Sequence, residues 1–141
     1  MKWKQVSLRI LGLLIFLDSQ FQELHWSKVN YQGSPGRHTH SSTLIQDYII
    51  TFGGIEGGNP GRKNEVYAYN IKTGVWKQIT PTGIEPATRQ RHSACLYNDN
   101  EIIVFGGWNY CASADTLKLV ISFEETSKNS QKVSIICYSQ S

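Results

Sequence analysis

A chain of 141 residues is the size of one domain, and with 40% hydrophobic and 18% charged residues it has an ordinary globular composition. Its formal net charge of +3, without any long run of Lys or Arg, is too small to point to nucleic acid or a membrane surface as partner. Three cysteines, Cys95, Cys111 and Cys137, form no C-x-x-C pair and leave one over, which fits reduced thiols of a cytoplasmic protein better than a disulfide framework.

Residues 1–32 are expected to hold the remnant of a preceding sheet, or a signal-like lead. Lys2, Lys4 and Arg9 come before the apolar run Ile10–Leu17, the layout of a secretory signal peptide, in which case the protein is secreted. The run is too short to span a bilayer, and Leu17-Asp18-Ser19 makes a poor cleavage site. The favoured alternative is a buried strand, because Leu17-Asp18 followed by Trp26 resembles Tyr69-Asn70 followed by Trp76. A strand carrying Trp26 is then predicted over Leu24–Val29.

The first complete unit is assigned to residues 33–82. Gly33, Pro35 and Gly36 predict a lead loop. His40–Ile45 and Tyr48–Phe52 read as a hairpin around Gln46-Asp47. The stretch Gly53–Lys63 holds five glycines and Pro60, so a long exposed loop is predicted there. Asn64–Ile71 alternates with the period of a strand. Lys72-Thr73-Gly74 suits a tight hairpin with glycine in the left-handed conformation, and Val75–Thr80 is the fourth strand, carrying Trp76.

The second unit, residues 83–125, starts well and then fades. Arg91–Tyr97 and Glu101–Phe105 pair around Asn98-Asp99-Asn100, Trp108–Ala114 replaces the long loop, and Thr116–Phe123 matches Asn64–Ile71 in hydrophobicity. Thr126–Asn129 then shows neither a Thr-Gly turn nor a tryptophan. The unit is expected to be incomplete and residues 126–141 to be a divergent tail, although Val133–Tyr138 has the composition of a strand.

The two units share an ordered set of landmarks. Trp26 to Trp76 and Gly33 to Gly83 are each 50 residues; Arg37 to Arg89, His40 to His92 and Ser41 to Ser93 are each 52; Phe52-Gly53-Gly54 recurs 53 residues later as Phe105-Gly106-Gly107. The drift falls in turns, where insertions cost little. With Tyr67 and Thr73-Gly74-x-Trp76, these residues resemble the kelch repeat, over roughly residues 24 to 121. The resemblance implies an all-β fold, an incomplete kelch-type β-propeller of four-stranded antiparallel blades. One such sheet cannot bury both faces alone. Because propellers close with about four to eight blades, the expectation here is an unclosed assembly with uncovered edges and an apolar face, able to self-associate through its edges.

The resemblance also implies a binding face. In a four-stranded blade the loops between strands two and three, and between strand four and the next strand one, leave by the same end. That end collects Arg37, Arg62, Lys63, Arg89, Arg91, Trp108 and Tyr110. Arginine and aromatic residues are favoured interface anchors, and kelch relatives often bind peptides there, which makes a protein or peptide partner the expectation. For Arg37 and Arg89, which repeat, the competing assignment is a hydrogen bond or salt bridge inside the blade; Arg62, Arg91 and Trp108 break the repeat. Some relatives are substrate receptors for cullin ubiquitin ligases, and others are scaffolds. No cofactor or metal is expected: His38-x-His40 has no third ligand spaced for zinc, and no phosphate-loop or G-x-S-x-G motif is present. A propeller enzyme would need such groups, so the chain is expected to be non-enzymatic. A truncated remnant of a longer kelch protein is the alternative.

Overall fold

The computed structural model describes residues 26–57, 59–126 and 130–140. Among the described residues every regular element is a β-strand. After a short β1 (Arg37–His38) come β2 (Ser41–Ile45) and β3 (Tyr48–Phe52), then the small strands β4 (Ile55–Glu56) and β5 (Asn59–Arg62), then β6 (Val66–Asn70) and β7 (Val75–Ile79). The second half runs β8 (Thr82–Gly83), β9 (Ser93–Asn98), β10 (Glu101–Phe105), β11 (Trp108–Asn109), β12 (Cys111–Ala112), β13 (Thr116–Thr126) and β14 (Ser130–Gln140).

β2-β3-β6-β7 form an antiparallel meander, blade 1, and β9-β10-β13-β14 form its sister, blade 2. The turn before β7 uses glycine as expected: Gly74 takes φ +71, and its N–H donates to the Asn70 carbonyl while the Asn70 side chain receives the Thr73 N–H.

The tail is where the two halves differ from expectation. β14 carries no Thr-Gly-x-Trp, yet it pairs antiparallel with β13 over the whole of both strands, from Thr116↔Gln140 to Thr126↔Ser130. It therefore occupies the place that β7 has in blade 1, and the sheet runs straight across residue 125. What substitutes for the tryptophan signature is alternation: Ile135 and Cys137 are buried opposite Ile121 and Leu119.

Both outer strands are clasped by the lead loop of their own unit. Gln32 bridges Val75 in parallel, with Gln32 N–H bonded to the Gly74 carbonyl and Trp76 N–H to the Gln32 carbonyl. Fifty residues later Thr82 and Gly83 lie parallel to Ile136 and Cys137. The approach is close enough that a Cβ on Gly83, at φ +89, would stand 2.5 Å from the Cys137 carbonyl oxygen. Each outer edge is thus paired over a short stretch, at Val75 of β7 and at Ile136 and Cys137 of β14.

The expected strand over Ile10–Leu17 lies outside the described residues. Two expectations fail elsewhere. Residues 26–29 form no strand, and Trp26 is fully exposed; its counterpart Trp76 rests on Tyr69 of the third strand, ring centroids 4.9 Å apart, and Trp26 has no such support among the described residues. The glycine-rich stretch Gly53–Lys63 is not an open loop. β4 and β5 fold it into a hairpin, and β4 docks on β1 through Arg37↔Glu56 and His38↔Ile55.

The two blades pack face to face as sister sheets. Ile45, Tyr48, Ile50, Phe52, Val66 and Ala68 of blade 1 share one buried cluster with Ile102, Val104, Leu117, Leu119, Ile121, Ile135 and Cys137 of blade 2. Tyr48 meets the Phe123 ring at 5.4 Å. Burying a large apolar side chain of this kind stabilises by about 1.5–3 kcal/mol, and the alternation of each strand supplies it from one face only.

Candidate functional site

The end of the blades that carries the loops is built around two buried arginines wired alike. Arg37 Nη1 donates to the Gly53 carbonyl at 3.1 Å, Nη2 bonds the Glu65 carboxylate, and the guanidinium lies 4.9 Å over the Tyr67 ring. Arg89 Nη1 donates to the Gly106 carbonyl at 3.0 Å, Nη2 reaches Asp115 Oδ2 at 3.3 Å, and Nε donates to the Ala87 carbonyl. The two side chains are only 3% and 2% exposed. A buried guanidinium requires such partners, and both arginines, expected on the binding face, serve as internal ties of their blades.

The acceptors of these ties went unnoticed in the sequence. Glu65 and Asp115 stand 50 residues apart, each immediately before the third strand of its unit. That spacing is the one signal that could have found them.

The glycine pairs seat the next unit against this wiring. Gly53 (φ +65) and Gly54 (φ +88) leave no room for a side chain: a Cβ on Gly53 would stand 2.7 Å from the Arg89 carbonyl oxygen and 3.0 Å from His92 Cε1. Gly54 N–H donates to the Arg89 carbonyl at 2.8 Å, Arg89 N–H to the Lys63 carbonyl, and Arg91 N–H to the Thr39 carbonyl. His92 completes the joint, with Nε2 2.8 Å from Ser41 Oγ and the ring edge-on to Phe52 at 5.2 Å. Its Nδ1 is buried without a partner. Burial first, then the Arg89 charge and then His40, lower the His92 pKa to about 4, so the ring is neutral at pH 7.

The remaining expected site residues separate. Lys63 is partly covered and held by Glu56 at 3.3 Å and Glu65 at 3.9 Å. Arg62 pairs with Ile55 through its backbone, and its side chain lies outside what the structure describes. Arg91, Trp108 and Tyr110 are exposed. Gln90 and Trp108 exchange two backbone hydrogen bonds, which places Arg91 beside β11, and Tyr110 is the turn residue between β11 and β12. Arg91 (φ +55) and Tyr110 (φ +59) both hold the left-handed conformation that non-glycine residues seldom adopt. Among the described residues no group of three or more His, Cys, Asp and Glu is placed to hold a metal, and no helix is long and apolar enough to cross a membrane.

Four-stranded antiparallel sheets stacked face to face, the Gly-Gly pair of one joined to the Arg-x-x-His segment of the next, are blades of an unclosed β-propeller. Residues 9–137 match the family model described as the KLHDC2/KLHL20/DRC7 Kelch-repeats domain, and the chain belongs to the kelch-repeat family. Among curated proteins it is similar to the Rho GTPase-activating protein gacHH of Dictyostelium discoideum, at 36% identity over 85 residues, 59% of this chain and 6% of that protein. It is 35% identical over 105 residues to mouse Kelch domain-containing protein 1, covering 64% of this chain and 25% of the relative. Against bovine Kelch domain-containing protein 3 the identity is 34% over 86 residues, 59% of this chain and 22% of the relative. The chain thus spans a quarter or less of the length of these three relatives. Kelch repeats are generally non-enzymatic protein–protein interaction modules.

Proposed function

We propose that the chain binds a protein or peptide partner through Arg91, Trp108 and Tyr110, as the recognition part of an adaptor or substrate receptor in the cytoplasm. The observation that supports this reading is the exposure of the loop-end residues: the Arg37 and Arg89 side chains are buried, whereas Arg91, Trp108 and Tyr110 are exposed on stretches of backbone joined by the Gln90–Trp108 pair. Exposed arginine beside aromatic rings is a favourable anchor for a carboxylate-bearing peptide, because the planar guanidinium pairs with a carboxylate while the rings cover apolar neighbours.

The test is retention of acidic and neutral peptides from one immobilised library by the wild type and by the triple variant Arg91→Asn, Trp108→Ala, Tyr110→Asn. Asparagine tolerates the left-handed backbone at positions 91 and 110, so it adds no backbone strain there. The expected result is preferential retention of acidic peptides and a loss of tenfold or more in affinity in the variant, about 1.4 kcal/mol or more. Equal retention by both proteins contradicts the assignment.

A further inference from the structure

The contact between the blades is head-to-tail, and each blade repeats half of it on the side turned away. Blade 1 offers a face bearing Ser41, Ile50 and Phe52, and blade 2 meets it with His92 and with Ile102 and Val104. The offered face recurs on the far side of blade 2 as Ser93, Ile103 and Phe105, since β9 and β10 pair Ser93 with Phe105 and Cys95 with Ile103. Phe52 is 1% exposed and Phe105 57%. The receiving face recurs in part on the far side of blade 1: His40 is exposed while its counterpart His92 is buried, and Ile49, in the place of the buried Ile102, is only half-buried, although Thr51 in the place of Val104 is buried too. The backbone agrees: Gly106 repeats the bond of Gly53, N–H to the carbonyl before the third strand, but the bond from Gly54 to Arg89 has no counterpart at Gly107 among the described residues.

We propose that this chain associates head-to-tail with further copies of itself, the Ser93–Phe105 face of one copy receiving the face of the next that bears His40 and Ile49. The occupant follows from continuity with the contact already inside the chain: each copy carries both the offered and the receiving face, on opposite sides. Such heterologous contacts close into rings when the rotation permits. With the two blades that the described residues form in each copy, a ring of about four to eight blades takes two to four copies. The contact is weaker than the internal one, because Glu101 and Lys118, ion-paired at 3.1 Å, stand where blade 1 has the buried Tyr48 and Ala68. Association therefore centres on the first two strands and depends on concentration. The inference is independent of the partner reading above.

Light scattering on the full chain tests it across micromolar to millimolar concentration. The expected mass rises from the 16.0 kDa of one chain to a two- to fourfold multiple. Phe105→Asp and, separately, His40→Asp each hold the protein at one chain mass, and an equimolar mixture of the two variants doubles it, because each retains one intact face. Tyr97→Lys, on the exposed side of β9, serves in place of Phe105→Asp if the latter unfolds by circular dichroism. A wild type that stays at one chain mass throughout overturns the proposal. So does association that survives both face variants, or a mixture that does not recover the doubled mass.

Discussion

At position 53 the backbone, not the side chain, decides what fits. Gly53 holds φ +65 with the Arg89 carbonyl and the His92 ring against it, so Gly53→Ala must strain the backbone and push the second blade away. A loss of about 2 kcal/mol or more in urea denaturation is expected. Gly36→Ala is the control, since no atom lies within 4 Å of a Cβ there and its φ is not positive; a change under about 0.5 kcal/mol is expected. His92 gives the joint a pH dependence whose sign is fixed by its lowered pKa. Above the ordinary histidine value of 6.5 the ring is neutral folded and unfolded, and stability does not change. As pH falls from 6.5 towards 4 the unfolded chain takes up a proton that the buried Nδ1, near Arg89 and His40, refuses, so stability is lost. Between pH 7 and pH 5 the loss attributable to this group is about 2 kcal/mol. It should vanish in His92→Asn, as read from urea midpoints at the two pH values.

Among the elements, β14 is the informative one. Ile135 is 1% exposed in the shared core, so Ile135→Ala should cost about 2–5 kcal/mol, measured by thermal or urea unfolding; a dispensable tail would give nothing measurable. The hairpins β2–β3, β6–β7 and β9–β10 were legible in the sequence because alternation and turn residues agree locally, as at Asn70-Ile71-Lys72-Thr73-Gly74. The role of β14 was not, because its place is set by pairing with β13 rather than by a motif of its own. The β4–β5 hairpin was hidden for the opposite reason: glycines and Pro60 signal a loop, yet β1 offers them an edge to pair with. At the site, Arg37 and Arg89 stood out by recurrence, but recurrence alone does not separate an internal tie from a binding residue. Only the carboxylates at Glu65 and Asp115, distant in sequence, decide it.

At the scale of the molecule, two blades of the kelch family share one core, and each still presents half of a blade-to-blade contact to solvent. The equivalent residues Phe52 and Phe105 measure this asymmetry directly. Urea denaturation at low micromolar concentration, where copies are apart, compares Phe52→Ala with Phe105→Ala. Removing the ring that His92 covers should cost about 3–5 kcal/mol, and removing its exposed counterpart less than about 1 kcal/mol. Equal losses at the two positions would mean that blade 2 does not cover blade 1, and the stacked arrangement would be wrong.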